Sequence, residues 1–248
     1  MSGHSKWHNI QRTKGAQDAK RGKVFTKIAR EMIVAVREGG GGDPANNSRL
    51  AAAVAKAKIA NMPNDNIKRT IDKALGSAGG DSFERATYEG YGPNGAAVIV
   101  EAMTDNRNRT AAEMRHYFDK YGGNMGALGC VSWSFKSKGV IIIDNEDGLL
   151  DEEKTLLDAL EAGADDVEAD GGVFEVYTAP DDLGSVSEAL EIAGYRFFSA
   201  QLEMVPSNYV TLTDPDDVKN MEKLLELMED NDDVQNVWHN VVFPEQER

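Results

Sequence analysis

The chain has 248 residues, with 27 Lys and Arg against 42 Asp and Glu and a formal charge of −15. Its single cysteine, Cys130, excludes an intrachain disulfide, and no apolar run approaches the roughly 18 residues of a membrane-spanning helix. The N-terminus shows neither a secretory h-region nor a myristoylation opening, so a cytoplasmic protein is expected.

The charge is distributed unevenly. Residues 1–75 hold 15 basic and 6 acidic residues, a balance of +9, and residues 76–143 hold 7 of each. Residues 144–248 hold 5 basic and 29 acidic residues, a balance of −24. Such polarity points to a phosphate-facing N-terminal part and an acidic remainder that either keeps the molecule soluble or docks on a basic protein.

The N-terminal part opens on a basic stretch. Lys6, Arg12, Lys14, Lys20, Arg21, Lys23, Lys27 and Arg30 stand against one acid, Asp18. From Val24 on, Val24, Phe25, Ile28, Ala29, Met32, Ile33 and Val36 recur at helical spacing. Before Val24 there is no apolar stripe, so the sequence reads as a loosely held basic arm feeding an amphipathic helix. Gly39–Pro44 ends that helix. Asn46, Asn47 and Ser48 offer an N-cap for a second, with Leu50, Val54 and Ala57 on one face. Pro63 stops it near Asn61, and Asn64 or Asp65 starts a third with Ile67, Ile71 and Leu75 inward. The sum is a basic helical domain over residues 1–76. Lys56, Lys58, Lys68, Arg69 and Lys73 add positive surface to it.

After a linker at 76–81 the period changes. Arg85–Tyr91 and Ala96–Met103 read as strands joined by a Gly92–Gly95 turn. The segment DNRNRT (Asp105–Thr110) precedes a helix whose capping box, Thr110 with Glu113, places its start at Thr110. Met114, Phe118 and Tyr121 face its core. Arg107 and Arg109 would lie at that helix N-terminus, where backbone N–H groups favour an anion. They either clamp a phosphate or brace the loop against Asp105 and Glu113. Strands follow at Val131–Phe135 and Gly139–Asp144.

From 139 to 205 the pattern is βαββαβ, the ferredoxin-like arrangement. Leu160–Val167 resembles Leu227–Val234, so the last helix (215–229) and strand (234–242) look like a second helix–strand copy returning to the sheet at 85–103. The expected fold class is α+β: a helical domain over 1–76, a middle domain from 82–136 plus 206–248, and an acidic ferredoxin-like domain at 137–205 inserted in the middle one.

No catalytic constellation emerges. The glycine-rich run 122–129 matches neither the P-loop nor the dinucleotide fingerprint. His4 and His8 lack a third metal ligand, His116 and His239 stand alone, and Cys130 has no nearby histidine, which favours a structural thiol. A non-enzyme with no metal and no cofactor is expected. Trp7, Tyr88 and Tyr91 are candidate stacking aromatics. The candidate nucleic-acid-binding set is Lys6, Trp7, Arg12, Lys14, Lys20, Arg21, Lys23, Lys27, Arg107 and Arg109.

The motifs GHSKW (3–7), AQDAKRGKVFTK (16–27), NMPNDNI (61–67), YEGYGP (88–93) and DNRNRT (105–110), in this order and spacing, resemble the YebC/PmpR family. The glycines of 122–129 fit it as well, and Cys130 stands where many relatives carry serine. The resemblance implies three domains, the first helical and the others α+β, in a cytoplasmic protein without cofactor. It implies a DNA-binding transcriptional regulator with promoter DNA as partner. Its alternative is a translation factor that binds the ribosome and rRNA and relieves stalling at proline-rich sequences. The charge of the residues themselves is compatible with either polymer and, third, with a protein–protein adaptor.

Overall fold

Helix propensity in the basic stretch reaches further upstream than its apolar stripe. In the computed structural model, which describes residues 17–76, 83–145, 147–170 and 172–244, helix α1 spans Gln17–Glu38. Residues 17–23, expected as part of a loose arm, are therefore helical. Ala, Gln, Lys and Arg form helix well without an apolar face, and only Asp18 and Gly22 are weak formers there. Helix α2 is Ser48–Ile59, capped by Asn47, whose side chain accepts from the Leu50 N–H. Asn61 takes a left-handed φ of 57° before Pro63, and α3 follows at Asn64–Gly76. The three pack through Ile28, Met32, Ala35, Leu50, Ala53, Ala57, Ile67 and Ala74. Leu75, expected inward, is exposed.

Strands β1 (Glu84–Tyr91) and β2 (Ala97–Thr104) pair antiparallel along their whole length. A short 3-10 turn at Pro93–Gly95 joins them, with Asn94 and Gly95 both at positive φ. Helix α4 (Arg107–Lys120) packs Met114 and Phe118 into the core, and β3 (Asn124–Met125) pairs beside β1.

The start of α4 differs from the capping-box reading. Asn106 is the N-cap, its side chain accepting from the Arg109 N–H, so Thr110 lies inside the helix and is buried. Two polar residues were competent caps, and the earlier one prevails because Thr110 is drawn into the core. Residues 131–135, expected as a strand, instead form a 3-10 turn at Ser132–Ser134 leading into β4 (Phe135–Asp144).

The chain then builds α5 (Glu152–Glu161), β5 (Asp166–Asp170), β6 (Val173–Thr178), α6 (Leu183–Ile192) and β7 (Phe197–Pro206). The sheet order is β5-β6-β4-β7, with β6 antiparallel to both β4 and β5, as the ferredoxin-like βαββαβ reading requires. Alternation sends Ile141, Ile143, Phe174 and Val176 to the helix-covered face, where they meet Ala159, Val186 and Leu190.

After β8 (Val210–Thr211), helix α7 (Pro215–Asp230) is capped by Asp214. Strand β9 (Val234–His239) then adds to β2, giving the order β3-β1-β2-β9, and β10 (Val241–Val242) pairs with β8. The last helix–strand pair thus returns to the first sheet, as the internal repeat suggested.

Compactness divides the molecule into a unit of Lys136–Val205 and a unit of Asp18–Phe135 with Pro206–Arg248. In the second unit the helices α1–α3 and the β1–β2 sheet belong together, across the sequence boundary expected near residues 76–82. Within the described residues no helix is long and apolar enough to cross a membrane.

Candidate nucleic-acid interface

Of the ten expected contact residues, Lys6, Trp7, Arg12 and Lys14 lie outside the described residues. Lys20 and Arg21 lie in α1. Lys23, Lys27, Arg107 and Arg109 can be followed to their partners.

Helix α7 has acids but no base in its last turn, so the negative end of its dipole is uncompensated from within. The compensation comes from α1. Lys23 Nζ lies 3.0 Å from Asp230 Oδ1, and Lys27 Nζ donates to the Glu229 carbonyl at 2.7 Å. Burial lowers the Lys27 pKa to about 8, against the raising influence of Glu229, Asp232 and Asp230. One turn on, Arg30 donates to the Asp232 carbonyl at 2.6 Å and to Asp233 Oδ1 at 2.8 Å. Each of these three cations sits about one turn from the next, so one face of α1 is committed to the end of α7.

Asp233 is the centre of this junction and is 4% exposed. It sits just before β9, where the end of β2, the start of α4 and the α7–β9 turn converge. Its Oδ2 lies 2.6 Å from Arg109 Nη2, 2.8 Å from Thr110 Oγ1 and 3.1 Å from Thr104 Oγ1. Its carbonyl accepts from the Met103 N–H, and its own N–H donates to Asn231 Oδ1. Burial pushes the carboxyl up, but Arg109, Thr110, Arg30 and Thr104 together hold it below the ordinary carboxylate range.

The loop therefore answers the choice between clamp and brace differently for its two arginines. Arg109 braces: it binds Asp233 and, at 2.8 Å, Asp105, and these hydrogen bonds raise its pKa further. Glu113, the other expected brace, accepts from Asn231 instead. Arg107 is exposed, with Glu84 3.8 Å away across an open surface. Replacing Arg109 by Ala is expected to cost about 1–3 kcal/mol, because the buried Asp233 carboxylate loses a charged donor and keeps only Arg30, Thr104 and Thr110. Arg107→Ala should stay within about 0.5 kcal/mol, as an exposed pair does. Thermal melts of the two variants side by side check the difference.

Tyr88 and Tyr91 are not free stacking surfaces. Tyr88 is buried with its hydroxyl on the Arg107 carbonyl, and Tyr91 donates to the Cys130 carbonyl at 2.9 Å. Between them stands Glu89, a residue sequence reasoning passed over. It is 3% exposed and accepts backbone N–H bonds from Gly129, Val131 and Ser132, each at 2.9 Å. Burial raises the Glu89 pKa, and those N–H groups outweigh it and leave the carboxyl ionised below its ordinary value. No local pattern marks Glu89, because its partners lie forty residues downstream.

Lys58, Lys68 and Arg69 on α2 and α3 are exposed, and among the described residues none forms a salt bridge. They add to the positive surface of the helical part. Among the described residues no cluster of three His, Cys, Asp or Glu side chains is placed to hold a metal ion.

These features define an α+β protein with a basic helical N-terminal part and an inserted ferredoxin-like unit. Residues 5–77 match the sequence model of the TACO1/YebC protein N-terminal domain, and residues 83–241 that of the TACO1/YebC second and third domain. The chain belongs to the TACO1/YebC family. It is 55% identical over 230 residues to a "probable transcriptional regulatory protein" of Ruminiclostridium cellulolyticum, covering 93% of this chain and 92% of that one. A protein of the same description from Clostridium botulinum is 53% identical over 99% of this chain and 98% of its own length. Among solved structures, a conserved hypothetical protein of Aquifex aeolicus superposes with a TM-score of 0.84 at 46% identity, covering 92% of this chain and 93% of that one.

Proposed function

We propose that this protein is a nucleic-acid-binding regulator that acts on promoter DNA as a transcriptional regulator, without catalysis of its own. The observation that carries the reading is the local inversion of charge, +9 over residues 1–75 in a chain of −15. The names of the relatives support the regulatory part. The phosphate-contacting set is Lys6, Arg12, Lys14, Lys20 and Arg21, with Arg107 and the exposed Lys58, Lys68 and Arg69. Lys23, Lys27 and Arg109 serve it indirectly, by fixing α1 and α4 to the sheet. The two most deeply buried carboxylates of that unit that bear pKa shifts, Asp233 and Glu89, are held ionised by structural donors, which suits neither to general acid work.

Reversing Lys14, Lys20 and Arg21 to Glu tests the reading. Lys20 and Arg21 lie in α1, and Glu is as good a helix former as either, so the thermal transition should hold. Binding of a promoter fragment should fall by more than about ten-fold through lost phosphate contacts. With about five to eight contacts, a four-fold rise in salt should cost the wild type about two to four orders of magnitude in affinity. Flat salt dependence, or a reversal variant that binds like wild type, removes the proposal.

One observation favours a second reading, a translation factor bound to rRNA that relieves stalling at proline-rich sequences. Trp133 is 76% exposed, and an exposed indole suits unpaired bases better than a closed duplex. Crosslinking in cells, with reads sorted into genomic DNA and rRNA, separates the two.

A further inference from the structure

The segment Gly126–Ser134, GALGCVSWS, carries no charged residue and yet is tied at many points by its backbone. The Gly126 N–H donates to the Glu89 carbonyl at 2.8 Å, and the N–H groups of Gly129, Val131 and Ser132 converge on the Glu89 carboxylate. The Cys130 N–H closes on the Ala127 carbonyl and the Ser134 N–H on the Val131 carbonyl, while the Ser207 N–H donates to the Ser134 carbonyl. Gly129 sits at a φ of 91°, a conformation that a side chain would resist. Gly126 leaves room for the Cys130 sulfur, which would meet a Cβ there at 2.5 Å.

All this order supports a surface that is apolar. Trp133 is 76% exposed and Leu128 is 74% exposed. The indole is not loose: its Nε1–H donates to the Cys130 carbonyl at 2.9 Å, the same oxygen that takes the Tyr91 hydroxyl. Its one polar group is thereby spent, and what the ring offers outward is its π-surface.

We infer that this loop is a fixed stacking platform on which Trp133 receives an unpaired base of a single-stranded nucleic acid. The inference rests on the nucleic-acid reading above, without requiring that the polymer be duplex promoter DNA, and names unpaired bases as the ligand class. The chemistry of the loop narrows the occupant. With six backbone N–H groups already engaged, those of Gly126, Gly129, Cys130, Val131, Ser132 and Ser134, it forms neither a phosphate cradle nor an edge for an added peptide strand. Lacking charge, it has no ionic hold on a protein partner. A flat, pinned aromatic ring with no free donor suits a base face, and it is tolerant of sequence because every base has one. Phosphates are then left to the basic helical part, and order in the unbound loop lowers the entropic cost of binding.

The experiment measures, on full-length protein and at two salt concentrations, affinity for a twelve-nucleotide single-stranded RNA, the same sequence as single-stranded DNA, and the duplex, the length being about the site of one to three stacking modules. Trp133→Ala is expected to weaken both single strands by about ten-fold or more and to leave the duplex unchanged. Trp133→Phe, which keeps a ring, should retain most of the affinity. Since Trp133 is exposed, the melting temperature of both variants should match wild type; if Trp133→Ala melts early, the Phe and wild-type pair against Leu128→Ala carries the comparison. Wild-type affinity of Trp133→Ala for single strands, with steep salt dependence intact, overturns the platform and leaves the nucleic-acid reading standing. Equal losses on single strand and duplex overturn it too, as does tight capture of a protein with no effect on nucleic acid. A wild type that binds none of the three removes the underlying reading and the platform with it.

Discussion

Asp233→Ala should destabilise the protein by about 3–5 kcal/mol, the range found when one partner of a buried ion pair is removed. The loss is large because four donors lose one acceptor. Arg30 and Arg109 remain charged, and Thr104 and Thr110 stay buried beside them. Asp233→Asn should recover little, since its amide presents N–H groups to a ring of donors. Arg30→Ala alone should cost less, because Arg30 keeps only one of the two carboxylate oxygens occupied and its side chain reaches partial solvent. A double-mutant cycle between Arg30 and Asp233 should show coupling, as residues sharing one network do. The folded carboxyl titrates below its unfolded value. Its contribution is therefore complete above the ordinary carboxylate range and vanishes as pH falls through the lower folded value. Denaturant melts should show the wild-type advantage over Asp233→Ala unchanged at neutral pH and shrinking only in acid. An unchanged melting temperature in Asp233→Ala would mean that α1 and α4 are held to the sheet by other means.

Much of this fold is legible locally. The Gly92–Gly95 turn, the βαββαβ order of the inserted unit and the likeness of 160–167 to 227–234 each follow from short-range pattern, and each led to the observed topology. What escaped depends on residues distant in sequence. Val131–Phe135 has strand-like composition, but Glu89 draws its N–H groups into a turn. Thr110 and Asn106 are both good caps, and the choice is made by Asp233, which recruits Thr110 as a buried donor. The basic run at 20–30 looks like one surface in sequence. In the fold three of those cations, Lys23, Lys27 and Arg30, are taken up by the end of α7, because helical spacing puts them on the face that meets it. The DNRNRT hexapeptide divides, with Arg109 turned to Asp233 and Arg107 outward. Charge density read along a chain overstates an interface wherever the chain also holds buried carboxylates to match it.

Glu89→Gln should release the loop that Glu89 holds, and its effects should be read in two places. Three backbone N–H groups converge on the carboxylate, and a Gln amide offers them one acceptor oxygen while pointing its own NH2 at the remainder. A loss of about 2–4 kcal/mol is expected, from weakened charge-assisted bonds and newly unpaired donors in a buried site. Glu89→Ala should lose as much or more, since it adds a cavity beneath the loop. The second effect is local. The Cys130 carbonyl that pins both Tyr91 and the Trp133 indole belongs to the same turn, so hydrogen exchange of residues 126–134 should accelerate beyond what the global loss of stability explains. The Cys130 thiol, whose pKa is raised by burial and then by the Glu89 charge, should become more acidic and react faster with a thiol reagent at neutral pH. Faster global unfolding with no selective exchange in 126–134 would show that Glu89 stabilises β1 and not the loop. Selective exchange together with a more reactive Cys130 would place the order of the Trp133 surface in this one carboxylate.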